Sequence, residues 1–288
     1  MKLALGTVQF GLPYGVANTI GKVSLSAAKE VVAAAWACDL DTLDTAIAYG
    51  ESETSLGLIG TERFKVVTKL PPIPDQCLNI ERWIFDQVTS SLQRLRVRNV
   101  FGLLLHRPDQ LLGPNAPEIF SVLLGLKKLG YVKKIGISIY SPTELDQLIP
   151  RFTFDLVQAP FNVLDRRLVT SGWLERLKSL GVEVHTRSIF LQGLLLVSDL
   201  RMQPRFKKWS SLLGDWFEWC TANHFSPLQA SLNFGLQHES IDRIVVGVDS
   251  VKQLNEIVAA ARMAVPVPDI LLTCSDDGLI NPSRWKLS

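Results

Sequence analysis

Short apolar runs alternate along the chain with longer segments in which apolar residues recur every three or four positions. The short runs are rich in valine, isoleucine and leucine, which is typical of buried parallel strands, and the longer segments have the spacing of amphipathic helices. Eight strands are predicted, over residues 2–7, 40–45, 64–70, 100–106, 134–138, 156–160, 182–188 and 243–248. Helices are predicted between them, over residues 25–38, 79–95, 117–129, 143–149, 172–180, 228–236 and 251–262.

The number of strands decides between two α/β architectures. Sharing 288 residues among eight units gives about 36 residues per unit, close to one strand, one helix and two loops of a (β/α)₈ TIM barrel. A doubly wound sheet would more often stop at five or six strands. The prediction is one α/β barrel domain over residues 1–288, without a linker. Residues 198–225 should add an extra helix, and a C-terminal tail over residues 264–288 should cover one end.

Composition and charge exclude several classes of protein. Hydrophobic residues make up 47% of the chain and charged residues 20%, which is too apolar for a disordered protein. The formal net charge of +2 lacks the concentrated positive field that nucleic acid binding needs. The longest apolar run, residues 31–38, has 8 residues, far fewer than the roughly 18 that cross a bilayer. We therefore expect neither a nucleic acid nor a membrane as partner.

The four cysteines suggest neither a metal site nor a disulfide framework. They are widely separated, without a Cys-x-x-Cys pair or a histidine cluster, at positions 38, 77, 220 and 274. Glycines and Pro13 interrupt the apolar N-terminus before any cleavage site of a signal peptide. Reduced thiols and a cytoplasmic location are expected.

Polar side chains end three otherwise apolar strands. The second predicted strand ends near Asp44, the third reaches Lys69 and the fourth ends at His106. Tyr49 follows Asp44 by five residues, in a loop short enough to turn its phenol back over the barrel. Because active sites of such barrels lie at the C-terminal ends of the strands, these four side chains should meet at one mouth.

The run from Asp44 to Glu53, Asp-Thr-Ala-Ile-Ala-Tyr-Gly-Glu-Ser-Glu, resembles the Asp-Thr-Ala-x-x-Tyr-Gly-x-Ser-Glu motif of the aldo-keto reductase family. With Lys69 and His106 on the next two strands, it resembles that family's catalytic tetrad. The resemblance extends from Gly6 to about Ala260. Residues 187–193 and 281–285 resemble the branch found with bacterial surface-polysaccharide biosynthesis genes. Within the same run, Glu51 and Glu53 are interpreted as first-turn acids that complement a helix dipole.

The chemistry explains why these four residue types occur together. Hydride addition to a carbonyl leaves an oxyanion, so Tyr49 would act as the general acid, although its ordinary pKa near 10 makes it a weak one. A positive charge on Lys69 should lower the pKa of Tyr49, and Asp44 should keep Lys69 charged. His106 is assigned to orient the carbonyl and to share in proton transfer.

The resemblance implies a nicotinamide cofactor. Gly6 and Thr7 would meet the nicotinamide ribose, and Ser138 and Gln158 would hold the carboxamide, while Ile139 stands where the family has an asparagine. Arg187 replaces a stacking tyrosine after the seventh strand, where its planar guanidinium could also stack. Groups for the pyrophosphate would come from Ser188, Phe190, Gln192 and Gly193.

The adenosine end is implied to lie at residues 247–256, where family members usually read a ribose 2′-phosphate with lysine and arginine. In this sequence Gly247 stands where the family has the lysine and Gln253 where it has the arginine, and Glu256 follows them. Asp249 could repel a phosphate or bond a free 2′-hydroxyl, whereas Ser250 and Lys252 could still hold a phosphate. The resemblance favours NADP(H) over NAD(H), and no metal is expected.

The expected substrate is a small carbonyl compound or alcohol, with a sugar derivative suggested by the polysaccharide-type branch. Candidate walls of its site are Phe10, Tyr14, Arg107 and the tryptophan-rich residues 209–219, with ordinary packing or surface exposure as the alternative for each. Two other functions stay open: a non-catalytic cofactor-binding regulatory subunit, and a barrel enzyme that uses Lys69 as a Schiff-base amine. The complete tetrad argues against the first, and Asp44, by keeping Lys69 protonated, argues against the second.

Overall fold

The computed structural model describes residues 1–18, 20–263 and 272–285. Eight parallel strands pair in chain order, and the last pairs with the first, so the sheet closes into a barrel. This confirms the predicted (β/α)₈ fold and all eight predicted strands. The strands are β1 (Leu3–Gly6), β2 (Thr42–Asp44), β3 (Lys65–Leu70), β4 (Val100–Leu105), β5 (Val132–Ser138), β6 (Leu156–Pro160), β7 (Glu183–Arg187) and β8 (Arg243–Gly247).

The helices surround the barrel, and every predicted helix is present with ends shifted by at most one or two residues. The extra helix is α8. The helices are α1 (Leu25–Ala37), α2 (Ser52–Ile59), α3 (Ile80–Leu95), α4 (Ala116–Lys128), α5 (Thr143–Leu148), α6 (Arg167–Thr170), α7 (Trp173–Ser179), α8 (Ser210–Ala222), α9 (Pro227–Leu236), α10 (Val251–Arg262) and α11 (Asp277–Ile280).

The predicted C-terminal tail is described only over residues 272–285. This part contacts the loop after β6, where the Cys274 backbone N–H donates to the Leu164 carbonyl. The Trp285 ring packs edge-on against Phe206, with centroids 4.9 Å apart. Residues 264–271 and 286–288 lie outside the described residues.

The apolar core has two layers. Between strands and helices, nearly every strand residue that points outward is fully buried, which accounts for the continuous apolar runs. Inside the barrel a smaller cluster, formed by Val67, Leu104 and Leu156, fills the axis below the mouth. Because all strands are parallel, their C-terminal ends and the loops that follow them share one mouth, which is closed underneath by this cluster.

Glu53 differs from its interpretation as a helix-dipole acid. It does lie in the first turn of α2, but only 1% of its side chain is exposed. Its carboxylate accepts hydrogen bonds from Thr68 Oγ1 at 2.7 Å, Ser91 Oγ at 2.6 Å and Arg94 at 2.7 Å. Glu51, by contrast, pairs with Lys22 on the surface. Glu53 therefore ties α2 to β3 and α3 beneath the loop that carries Tyr49.

Replacing Glu53 with glutamine should lower the free energy of unfolding by about 3 kcal/mol. The change leaves the Arg94 charge without its partner, and removing one member of a buried ion pair costs more than the pair contributes. Urea unfolding of the two variants Glu53→Gln and Glu51→Gln measures this, and loss of the exposed Glu51 pair should change the free energy of unfolding far less than loss of Glu53. Equal losses in both variants would contradict a structural role for Glu53.

Candidate active site

A cavity of about 470 Å³ opens at the C-terminal mouth of the barrel. The ends of several strands line its floor, and the loops that follow β1, β7 and β8 line its sides. Its volume is within the range of about 300–1,000 Å³ typical of small-molecule sites.

A buried ion pair lies at the floor of this cavity. Lys69 Nζ donates to Asp44 Oδ1 at 2.6 Å and to the Thr45 carbonyl at 2.8 Å. The side chains of Lys69 and Asp44 are only 1% and 6% exposed. Gln158 Nε2 donates to the other carboxylate oxygen of Asp44 at 2.6 Å. Burial lowers the pKa of Lys69, and the adjacent Asp44 carboxylate opposes that effect.

Tyr49 lies between this ion pair and His106. Lys69 Nζ is 5.0 Å from the centroid of the Tyr49 ring. The rings of Tyr49 and His106 are nearly perpendicular, with centroids 6.0 Å apart. The loop that carries Tyr49 presses against Gly11, where a Cβ atom would lie 1.7 Å from the Tyr49 carbonyl oxygen. Only glycine at position 11 lets the two loops approach this closely.

The pKa of Tyr49 moves in the direction opposite to the sequence-based expectation. Desolvation in the cavity wall and the Asp44 charge raise the pKa of Tyr49 well above its usual range, and Arg187 opposes them. The positive charge of Lys69 does not lower the pKa of Tyr49 overall, because its ammonium group is hydrogen-bonded to Asp44 and the net charge of the pair is close to zero. The phenol therefore keeps its proton at neutral pH.

His106 carries no charge at neutral pH. Desolvation, followed by the positive charges of Lys69 and Arg187, lowers its pKa to about 4. A neutral imidazole can donate one hydrogen bond to a carbonyl oxygen, but it is not a proton donor of the imidazolium type. At neutral pH the Tyr49 phenol therefore carries a proton that it can donate, while the His106 imidazole is uncharged.

The depressed pKa of His106 should make stability depend on pH. An unfolded imidazole takes up a proton below about pH 6.5, whereas the folded one does so only below about pH 4, so the unfolded state binds more protons in between. The free energy of unfolding should therefore fall as pH falls through this window, by about 2–3 kcal/mol from this group. Urea unfolding of wild type and His106→Gln at several pH values should show their stability difference changing with pH. A stability difference that does not change with pH would contradict the lowered pKa of His106.

The cavity brings the sequence-predicted residues together. Of the four candidate catalytic residues, Asp44, Tyr49 and His106 border the cavity, and Lys69 lies directly behind Asp44. Every candidate cofactor-binding residue also borders it: Gly6, Thr7, Ser138, Gln158, Arg187, Ser188, Phe190, Gln192, Gly193, Gly247, Asp249, Gln253 and Glu256.

Several of these side chains already have partners in the fold. Thr7 Oγ1 donates to the Asp44 carbonyl at 3.0 Å, and Ser138 Oγ lies 3.4 Å from Gln158 Oε1. The Arg187 guanidinium stacks on the Tyr140 ring at 4.5 Å and donates to the Ile139 carbonyl at 3.0 Å. Arg187 is thus held in the cavity wall by the residues that follow β5.

The loop after β7 has an unusual backbone. Ser188, Leu191 and Gln192 have positive φ angles of 65°, 46° and 55°, which cost energy for residues other than glycine. Gly193 follows with φ of 93°, and a Cβ there would lie 2.7 Å from the Cβ of Ala17. The loops after β1 and β7 therefore meet along one side of the cavity.

Of the candidate walls of the substrate site, Tyr14 lines the cavity, and the alternative of packing or surface exposure holds for the others. Tyr14 does border the cavity and accepts a hydrogen bond from Gln192 Nε2 at 3.1 Å. Phe10 instead packs in the core, and Arg107 pairs with Asp109 on the surface. Residues 209–219 lie on and before α8, outside the lining. Their aromatic content reflects packing of the extra helix against the barrel.

Three lining residues with polar side chains were not predicted from the sequence: Gln9, Asn18 and Tyr140. Gln9 and Tyr140 lie within three residues of predicted contacts, after the first and fifth strands, and that adjacency was the available signal. Among the described residues no group of three or more histidine, cysteine or acidic side chains could hold a metal ion. Likewise, within that part of the chain no helix has the length and apolarity to cross a membrane.

Comparison with known proteins agrees with this fold. A search of curated proteins found no match. Among solved structures, the aldo-keto reductase AKR11C1 from Bacillus halodurans in its holo form has a TM-score of 0.70 at 18% identity, covering 91% of this chain and 87% of that one. A protein from Pseudomonas aeruginosa, solved as a candidate aldo-keto reductase, has a TM-score of 0.67 at 21% identity, covering 90% and 89%. The model of the Aldo/keto reductase family matches residues 2–269, so this chain belongs to that family.

Proposed function

We propose that this protein reduces a carbonyl group of a small molecule to an alcohol with a nicotinamide cofactor, NAD(P)H. The observation that carries the proposal is the grouping of Tyr49, His106 and the buried Lys69–Asp44 pair at one end of a deep cavity. Membership of the aldo/keto reductase family supports an oxidoreductase in general.

The cavity suits a long, polar cofactor. It extends from the catalytic group to α10 and is lined by small residues, backbone groups and amide side chains. Two amide oxygens that border it, on Gln9 and Gln192, are buried without a hydrogen-bond partner among the described residues. Buried polar atoms without partners are costly, so their presence favours a ligand that supplies the missing bonds. A bound nicotinamide would supply the hydride.

Each residue of the catalytic group has a distinct task. Tyr49, protonated at neutral pH, donates its proton to the carbonyl oxygen as the negative charge develops there. The neutral imidazole of His106 orients that oxygen by a hydrogen bond. Lys69 stabilises the tyrosinate left behind, and Asp44 keeps Lys69 charged in a buried site. Gln158 fixes the orientation of the Asp44 carboxylate.

The proposed substrate is an aldehyde, a ketone or a sugar-derived carbonyl compound. A sugar derivative is supported by the likeness of residues 187–193 to the polysaccharide-type branch and by the polar groups near the opening. Tyr14 and Gln192 are bonded to each other there and offer further donors and acceptors to hydroxyl groups.

Fluorescence titration with NADH and NADPH, followed by turnover with a panel of aldehydes, ketones and aldoses, tests the proposal. We expect binding of at least one reduced cofactor and its oxidation by at least one carbonyl compound. Tight binding without turnover of any carbonyl would favour the non-catalytic regulatory subunit. Failure of both cofactors to bind would contradict the proposal altogether.

A further inference from the structure

Gln9 occupies the space that a side chain at position 247 would fill. Its side chain lies against Gly247, at the end of β8, where a Cβ atom would be 2.4 Å from Gln9 Nε2 and 2.9 Å from Oε1. Gln9 is only 8% exposed and borders the cavity, and its amide oxygen Oε1 is buried without a hydrogen-bond partner among the described residues. A buried amide without partners at a cavity wall calls for a ligand that bonds it.

The end of the cavity around Gln9 and Gly247 carries negative charge. Asp249 and Glu256 both border the cavity near Gly247. Asn18 Nδ2 lies 3.4 Å from Asp249 Oδ1, and the Asp249 backbone N–H donates to Gln253 Oε1 at 2.7 Å. Burial raises the pKa of Asp249, which is consistent with a carboxylate that lies partly out of solvent.

No lysine or arginine among the described residues lines the cavity around Gly247. Among the described residues that line the cavity, Arg187 is the only lysine or arginine, and it lies at the catalytic end, stacked on Tyr140. Lys252, on the first turn of α10, does not line the cavity; its side chain is 86% exposed and forms an ion pair with Glu256 at 3.9 Å. A phosphate monoester placed here would face two carboxylates and no lining cation.

The location of the cavity end around Gly247 and α10 determines which part of the cofactor it would bind. This step rests on the proposed function: if hydride transfer takes place at Tyr49, the nicotinamide lies at the catalytic end. The opposite end, around Gly247 and α10, then receives the adenosine part of the cofactor.

We propose that Gln9, Gly247 and Asp249 select a cofactor whose adenosine ribose carries a free 2′-hydroxyl, so that NAD(H) is preferred to NADP(H). A ribose hydroxyl both accepts and donates a hydrogen bond, which the Gln9 amide and the Asp249 carboxylate together provide. A phosphate dianion offers only acceptors, and Asp249 repels it. This preference reverses the one that the family resemblance implied.

Affinities for NADH and NADPH, measured by fluorescence titration of wild type, test the proposal. We expect NADH to bind at least tenfold more tightly. The fragments ADP and 2′,5′-ADP should show the same order, and because they lack the nicotinamide, they report on the adenosine end independently of catalysis. Asp249→Asn should reduce the preference at least fivefold by improving NADPH binding, and Gln9→Ala should weaken NADH binding more than NADPH binding.

Asp215→Asn is the matched control, because it makes the same change of charge on the exposed face of α8. It should leave the NADH/NADPH ratio unchanged. Tighter binding of NADPH than NADH by wild type, lost in Lys252→Ala, would overturn the inference and assign the phosphate to Lys252, while leaving the proposed function intact. No binding of either dinucleotide would overturn the proposed function and this inference with it.

Discussion

Replacing Tyr49 with phenylalanine should lower kcat for carbonyl reduction by a factor of about 10² or more, because the proton donor to the developing oxyanion is lost. The Tyr49 hydroxyl makes no hydrogen bond to any described residue, and its half-buried ring would be retained in phenylalanine. The free energy of unfolding and the affinity for reduced cofactor should therefore stay close to wild type, so that the loss is confined to the chemical step.

Steady-state kinetics and cofactor titration of the variant measure the two effects separately. Tyr14→Phe removes a hydroxyl from the same cavity, but from its opening, where the group bonds Gln192. We expect that variant to change KM for a polar substrate more than kcat. Activity of Tyr49→Phe within a few-fold of wild type would exclude Tyr49 as the acid. The chemistry would then need another donor, and His106, with a pKa of about 4, would be a poor one.

The fold could be predicted because its signal is local and repeated. Each strand is a short apolar run, and each is followed by a helical segment, so errors at single boundaries do not change the count of eight. The grouping of Asp44, Lys69 and His106 followed from the same topology, since all three lie at the C-terminal ends of neighbouring parallel strands.

What escaped prediction depends on contacts between segments distant in the sequence. Glu53 has the pattern of an exposed helix acid, and only the approach of Ser91 and Arg94 from α3 makes it a buried anchor. Gln9 lies next to predicted contacts, but its amide fills the place of a side chain on β8 only because β1 and β8 close the barrel. No local pattern encodes either contact.

The pKa of Tyr49 was mispredicted for a related reason. The sequence shows that Lys69 lies on the strand that follows the Tyr49 loop, but the orientation of its side chain depends on packing. In the structure, Lys69 directs its ammonium group to Asp44 and the Thr45 carbonyl, so desolvation dominates. This geometry keeps the phenol protonated, which suits the proposed role of Tyr49 as proton donor.

Lys69→Met tests that coupling, and its expected effect is as large as that of Tyr49→Phe. Lys69 Nζ is 5.0 Å from the Tyr49 ring centre, and a charge pair at that separation is worth about 3 kcal/mol at an effective dielectric of 20. Losing that stabilisation of the tyrosinate should slow reduction by roughly 10². The pH profile of alcohol oxidation, in which Tyr49 must act as base, should move to higher pH because the pKa of Tyr49 rises further.

Stability must be followed in parallel, since methionine leaves the Asp44 carboxylate buried without its cation. The free energy of unfolding should fall by about 3 kcal/mol, so kinetics are measured well below the melting temperature of the variant. Lys65→Met is the control: it removes the same charge from the other end of β3, where the side chain is 46% exposed and pairs with Asp41. It should leave the pH profile of oxidation in place.

The double variant that combines Lys69→Met with Asp44→Asn shows whether Lys69 and Asp44 act as one unit or contribute independently. Asp44→Asn alone should slow reduction less than Lys69→Met, because Lys69 keeps part of its charge without the carboxylate. The two changes together should cost less than the sum of their separate costs, because once Lys69 is gone the Asp44→Asn change also removes a negative charge that opposes the tyrosinate. Additive losses in activation free energy, or a Lys69→Met profile that does not move along the pH axis, would mean that Lys69 only supports the fold and that another group stabilises the tyrosinate.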